Sequence, residues 1–151
     1  MPQLSLRTPL GDVTLSEEDG AIVALDWGRV ERQEPTAVLT AARDQLQDYF
    51  DGLRAGFDLP LAPRGTAYQL RVWDALRSIR PGQTRSYLDI ARLLVSGPRA
   101  VGQANGRNPI PILIPCHRVV AADGSIGGYS GLDGVATKRY LLDLERRNPP
   151  T

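Results

Sequence analysis

Pro109, Pro111 and Pro115 fall within seven residues, so no regular helix can cross the stretch Asn108-Pro-Ile-Pro-Ile-Leu-Ile-Pro115. Each proline lacks an amide hydrogen, fixes its own φ, and biases the residue before it towards extended backbone. Ile112-Leu-Ile114 therefore reads as a short buried strand that delivers Cys116. Pro115 breaks that strand just before Cys116 and His117, the only cysteine and the only histidine of the chain. Neighbours on a straight strand point to opposite faces. The break permits a turned geometry, in which a water bridging imidazole and thiol is an easier arrangement than direct contact.

A thiol is a strong nucleophile only as thiolate, and an imidazole that takes its proton can supply that state. With no second thiol and no second imidazole, disulfides and Cys/His metal sites are excluded, and no metal is expected,. The imidazole needs a third group to fix its tautomer and stabilise its charged form. Glu145 is the best candidate and Asp143 the second. The alternative is that Cys116 is an inert buried hydrophobe and His117 a satisfied polar residue.

The rest of the chain reads as an α+β protein. Leu4–Thr8 and Val13–Ser16 alternate with period two about a turn cluster, and Ala21–Trp27 follows the turn Glu18-Asp-Gly20, which predicts a small antiparallel meander,. Val38, Leu39, Ala42, Leu46, Tyr49 and Phe50 share one helical face that Asp51-Gly52 closes. Residues 53–65 read as a connector. Thr66–Gln69 has capping-box spacing before a helix whose stripe is Tyr68, Val72, Ala75, Leu76 and Ile79, stopped by Pro81-Gly82. Ser86–Asp89 opens a short helix with Leu88, Ala91 and Leu94 or Val95 inward. Pro98 starts another through about Asn105, and the pair matches a helix-turn-helix. Val119–Ala121 is expected to pair across the turn Ala122–Ser125, and a last helix over 135–147 to pack Val135, Leu141, Leu142 and Leu144. The expected architecture is a small N-terminal antiparallel sheet with a helix, then a mainly helical C-terminal lobe with a helix-turn-helix and a short hairpin carrying the cysteine. The expected division is 1–63, a support lobe including the connector, and 64–151, a lobe for DNA binding and chemistry.

Charge follows the same division. Residues 1–63 hold 5 Arg against 11 Asp and Glu, a net −6, while 64–151 hold 12 Arg and 1 Lys against 6 acids, a net +7. The second half is thus suited to a polyanion, and arginine to phosphate and base-edge contacts; mutual attraction of the halves is the plainer reading. There is no secretory start and no membrane-length apolar run, so the expected location is cytoplasmic, associated with the nucleoid, or nuclear in a eukaryote.

Pro115-Cys-His-Arg-Val119, together with Tyr68-Gln69, Val72-Trp73, Ser86-Tyr87, Pro98-Arg-Ala-Val-Gly102, Asn108-Pro109, Gly128-Tyr-Ser130 and Leu141-Leu142 through Glu145, resembles the O6-alkylguanine-DNA alkyltransferases from Tyr68 to Glu145. The N-terminal part resembles them only in outline. The resemblance implies a duplex bearing O6-alkylguanine, held through its minor groove, with the damaged nucleotide rotated into a pocket. It implies that Arg99 fills the gap in the stack. Small Ala100, Gly102 and Ala104 would let the helix approach the groove, with Arg107 beside them. Cys116 would attack the alkyl carbon, with His117 as base backed by Glu145 and Tyr87 as proton donor to the guanine. Asn108 would link recognition helix and active site, and Tyr129 and Ser130 would border the base. The thioether product cannot be cleaved by ordinary side chains, so each molecule would react once, without a cofactor. The expected state is a monomer, with clustering along DNA left open. The stretch Gly131-Leu-Asp-Gly134 is slightly longer than in such relatives, which bears on pocket size. Rival readings are a lesion-binding protein without chemistry, a helix-turn-helix regulator with a structural or redox cysteine, and a cysteine hydrolase or acyltransferase.

Overall fold

The computed structural model describes residues 1–129, 131–132 and 134–148. Strands β1 (Gln3–Thr8), β2 (Gly11–Glu18) and β3 (Ala21–Trp27) form an antiparallel sheet in chain order. Helix α1 (Ala37–Phe50) packs on it, burying Leu39, Ala42, Leu46, Tyr49 and Phe50 at the spacing of one helical face,. The Thr36 hydroxyl caps the helix by accepting from the Leu39 amide, and Asp51-Gly52 ends it with Gly52 at φ 77°,.

The connector is more than a tether. The Ile22 amide donates to the Pro60 carbonyl at 2.9 Å and the Ala62 amide donates to the Ile22 carbonyl at 2.8 Å, so the segment lies along the free edge of β3. An edge covered in this way is closed to pairing with another chain. Further along the same edge, the Leu25 amide donates to the Pro109 carbonyl at 2.9 Å, which brings the proline-rich stretch against the sheet.

The expected capping box is present, and a second one opens the next helix. Thr66 with Gln69 opens α2 (Ala67–Leu76), and Ser86 with Asp89 opens α3 (Tyr87–Leu94). Helix α2 ends sooner than Pro81-Gly82 suggested, and Ile79 is buried from the turn beyond it. Helix α4 (Pro98–Gly106) follows with proline in its first turn. Trp73 ties α2 to α4 by donating its indole N–H to the Ala104 carbonyl at 2.8 Å. Ile90 and Ala91 are the buried residues of α3. Val95, an inward alternative in the sequence reading, is instead 93% exposed and closes α3 at φ 53°. The chain must reverse there, and a left-handed residue does it.

Two other expectations are corrected. Ile112-Leu-Ile114 is a tight turn and not a strand: the Ile114 amide donates to the Ile110 carbonyl at 2.9 Å, and Ile112 sits at φ 73°. Prolines on both sides remove the donors a strand would need. The cysteine also does not ride on a hairpin. Strand β5 (Val119–Val120) pairs in parallel with β4 (Arg85–Ser86), and one bond from the Ala121 amide to the Ser125 carbonyl closes the Ala122–Ser125 turn. Residues 110–120 are buried throughout, so this stretch is core. Helix α5 (Val135–Arg147) has the expected bounds and buries Leu141, Leu142 and Leu144, but Val135 in its first turn is 41% exposed. No described helix is long and apolar enough to cross a membrane.

A β-branched residue in the left-handed region costs roughly 1–2 kcal/mol, and asparagine tolerates it better. Val95→Asn should therefore stabilise the protein by about 0.5–1 kcal/mol in urea unfolding. An equal or lower stability would mean that the strain is relieved in another way.

Candidate active site

Cys116, His117 and Arg118 form a single turn of 3-10 helix directly after Pro115. With three residues per turn, successive side chains fan out instead of alternating. This is the turned geometry that Pro115 permits. The turn is fixed at both ends by the Cys116 amide donating to the Ile114 carbonyl at 2.8 Å and the Arg118 amide donating to the Pro115 carbonyl at 3.0 Å. The Asn105 side-chain amide, from α4, donates to the Cys116 carbonyl at 3.2 Å.

Glu145, 2% exposed on α5, is where the interactions converge. His117 Nε2 donates to its Oε2 at 2.8 Å. Arg118 adds Nε to Oε1 at 2.9 Å and a terminal nitrogen to Oε2 at 2.8 Å. The other Arg118 nitrogen reaches the Ile79 carbonyl. Burial opposes ionisation of Glu145, but His117 and Arg118 together hold its carboxyl well below the usual range,. A carboxylate only accepts, so Nε2 carries the ring proton and Nδ1 is the basic nitrogen. That Nδ1 is buried without a hydrogen-bond partner among the described residues. Burial pulls the His117 pKa down, against the opposing pull of Glu145, so the ring is neutral at rest. Asp143, the second candidate, lies on the surface near Arg146 and takes no part.

The thiol is also neutral at rest. Burial pushes the Cys116 pKa up, while the Asn108 side chain, the Lys138 ammonium and the Tyr129 hydroxyl pull it back. Lys138 was not among the sequence candidates, although a signal existed: it is the only lysine beside 17 arginines. It is fully buried on α5, donates to the Gly128 carbonyl at 3.1 Å, and stands 5.9 Å over the Tyr87 ring. Burial lowers its pKa to about 8, so the cation persists at neutral pH.

Cys116 forms part of the wall of a cavity of about 280 Å³, lined also by Tyr87, Gly102, Asn105, Gly106, Gly128 and Tyr129. That is near the low end of small-molecule sites, which run from about 300 Å³ upward, and suits one planar base. Burial and the sulfur both raise the pKa of Tyr87 and of Tyr129, so both keep their protons. The Tyr129 hydroxyl is buried and faces the Cys116 sulfur. Gly131 backs Tyr129: a Cβ there would lie 2.7 Å from the Tyr129 ring and 3.0 Å from the Trp27 indole, so only glycine fits. Ser130, the other expected border residue, is outside the described residues, as is Asp133 of the longer stretch. Asn108 does not line the cavity; it donates to the Ile114 carbonyl at 2.8 Å and braces the segment behind the cysteine. Asn105, unmarked in the sequence, is the side chain that runs from α4 to the cysteine. A larger cleft, about 400 Å³, lies beside Val120, Arg139 and Arg146 and has no thiol or imidazole in its lining.

The outer face of α4 carries Arg99 and Gln103, and Arg107 caps its end, all three exposed, with Ala100 half-buried beside them. Gln103 is a further residue that the sequence reading missed. Ala104 is not on this face: it is 3% exposed and packs in the core. Four residues after Ala100 it would share that side of an ideal helix, but burial against α2 claims it. Gly102 faces inward instead, 3.9 Å from the Tyr87 ring by its virtual Cβ. One helix thus carries two arginines outward and forms a cavity wall inward. Among the described residues no cluster of three or more His, Cys, Asp or Glu could hold a metal ion.

Comparison with known proteins matches residues 4–63 to the family model "6-O-methylguanine DNA methyltransferase, ribonuclease-like domain" and 67–147 to "6-O-methylguanine DNA methyltransferase, DNA binding domain". A constitutive methylated-DNA–protein-cysteine methyltransferase of Bacillus subtilis is 42% identical, over 93% of this chain and 92% of its own. One from Methanosarcina barkeri is 41% identical over 95% and 96%. The crystal structure of Mycobacterium tuberculosis OGT in complex with DNA superposes with a TM-score of 0.89 at 40% identity, covering 100% of this chain and 96% of that one.

The electrostatics around the thiol predict that Lys138→Met slows alkylation of Cys116 by iodoacetamide at neutral pH by roughly threefold to tenfold, as the thiolate fraction falls. The gap to wild type should close as pH rises past about 8, where Lys138 itself loses its proton. Equal rates throughout would remove Lys138 from the site.

Proposed function

This chain belongs to the 6-O-methylguanine DNA methyltransferase family, and from that membership we propose that Cys116 is the residue that takes the alkyl group. The protein acts in DNA repair by alkyl transfer, as a methylated-DNA–protein-cysteine methyltransferase with DNA as partner. One observation carries the assignment: the single thiol of the chain forms the wall of a base-sized cavity, next to a histidine whose free nitrogen is the basic one.

Residues 64–151 bind DNA and carry out the transfer, and 1–63 support them. The outer face of α4 lies along the minor groove, with Arg99 filling the space that the rotated nucleotide leaves. Unstacking costs roughly a few kcal/mol, and a stacked guanidinium offsets part of it. The rotated O6-alkylguanine enters the cavity between Tyr87 and Tyr129.

There His117 Nδ1 takes the thiol proton through a water, and Glu145 stabilises the imidazolium. Lys138 stabilises the thiolate as it forms. The sulfur then attacks the alkyl carbon in line, forming a C–S bond as the C–O bond to guanine breaks. Tyr87 gives its proton to the leaving guanine, and the proton on His117 restores it. The thioether has no route back, so the protein reacts once and needs no cofactor. We place it in the cytoplasm with the nucleoid, where its DNA partner is.

Incubation with duplex carrying one O6-methylguanine should add about 14 Da to each chain at Cys116, once only, because a single thiolate is available. Cys116→Ser should bind the duplex and gain nothing. Repeated turnover at unchanged mass would instead mark a hydrolase. Arg99→Ala should repair duplex ~10-fold more slowly or worse, in line with the unstacking cost, yet react normally with the free O6-alkylated base. Equal losses on both would rule out stack filling.

A further inference from the structure

Tyr49 belongs to α1, in the part of the chain assigned a supporting role, yet its hydroxyl donates to Glu145 Oε2 at 2.7 Å across 96 positions of sequence. That oxygen is the one His117 also bonds. We infer that Tyr49 is a positioning residue of the transfer reaction: by sharing the Glu145 charge with His117, its hydroxyl sets how strongly His117 Nδ1 binds a proton. The inference rests on the reading of His117 as base.

Holding Glu145 in place does not require the tyrosine. Arg118 grips both carboxylate oxygens, and a two-point arginine fork fixes position and plane by itself,. Filling the niche does not require a hydroxyl either. Tyr49 packs 5.2 Å from the rings of both Phe50 and Phe57, so bare rings serve in the same cluster. What the hydroxyl adds is a third donor to one oxygen. A carboxylate that gives charge to one partner has less to give another, so the bond to His117 Nε2–H weakens and the imidazolium is less favoured. Burial and Glu145 hold the Tyr49 pKa well above its ordinary value, so the donor is never lost in the working range.

The surrounding charges allow the effect to be read. His117 faces Glu145, Arg118 and Lys138; Glu145 faces His117, Arg118 and Tyr49. Arg118 is a permanent cation, and neither it nor Lys138 bonds Tyr49,. The contact site is tight: a Cβ on Gly52, at the end of α1, would lie 2.9 Å from the Asn148 side chain at the end of α5. The first part of the chain would therefore tune the base as well as brace the fold.

Because His117 is the only histidine, its ring gives one unambiguous pair of NMR signals to titrate in the whole protein. Tyr49→Phe should raise the His117 pKa, moving the acid limb of Cys116 alkylation by iodoacetamide up by about 0.5 pH unit or more. Rates on that limb would fall roughly threefold and the plateau would not drop. Site-specific 3-fluorotyrosine at position 49, a stronger donor of nearly the same size, should move both readouts the other way. It decides the matter if Tyr49→Phe does not fold. Leu46→Ala, which loosens the same helix without touching Glu145, should lower the melting temperature and leave both profiles in place. Superimposable titrations for wild type and the Tyr49 proteins, or an equal shift in Leu46→Ala, would overturn the inference. Neither readout uses DNA, so failure of the proposed function would show separately, as no methyl gained from O6-methylguanine duplex by the wild-type protein.

Discussion

The buried Glu145 carboxylate is the interaction on which the rest of this structure depends. A lone carboxylate at that depth would be several kcal/mol too costly to keep ionised, so it exists only with its partners in place. Arg118 supplies charge and geometry, His117 supplies one N–H, and Tyr49 supplies an O–H. The partners come from two different structural contexts. Arg118 and His117 sit on the 3-10 turn, and Tyr49 sits on the helix that covers the first sheet. Satisfying one carboxylate therefore assembles three parts of the chain around one point. It also determines which nitrogen of His117 is basic, and with that the chemistry available to the neighbouring thiol.

Burial works against reactivity here, and the site answers it with fixed charges and dipoles. Desolvation raises the thiol and lowers the imidazole, which leaves both neutral until something draws a proton across,. The Lys138 ammonium and the side chains of Asn108 and Tyr129 favour the thiolate, and Glu145 favours the imidazolium. A cysteine poised in this way is quiet towards solvent and reactive towards a ligand that fills the cavity. Such restraint suits the single use proposed for this thiol.

The same economy governs the backbone. Helix α4 and its cap present Arg99, Gln103 and Arg107 outward while Gly102, Asn105 and Gly106 face the cavity, so the exposed arginines and the thiol are a helix width apart. Asn105 then hands the position of α4 directly to the Cys116 carbonyl. The first sheet reaches the site as well, through the Leu25 bond to Pro109 and the Trp27 indole against Gly131. Support from that part of the chain arrives at the proline stretch, the glycine loop and the carboxylate.

Local patterns were enough to read the three strands, the first helix, the Thr66–Gln69 capping box, Pro98 as a helix start and the bounds of α5. These depend on periodicity, on turn residues and on residues adjacent in sequence, all properties of short windows. Glu145 over Asp143 was also within reach, because only one of the two shares a helical face with the buried leucines Leu141, Leu142 and Leu144. Local patterns failed where long-range packing decides. Ile112–Ile114 has strand composition but turns because prolines take its donors. Val119–Val120 looked outward to its own turn but pairs with Arg85–Ser86. Ala104 has the spacing of an exposed face but is claimed by the core. Asn105 carries no local signature, Tyr49 shows only its place on a buried helical face, and Lys138 only that it is the sole lysine, since a buried charge or hydroxyl has meaning only through the group it meets. That meeting is made by tertiary structure alone: sequence determined which reactive groups exist and which elements carry them, and folding decided which of them share a carboxylate.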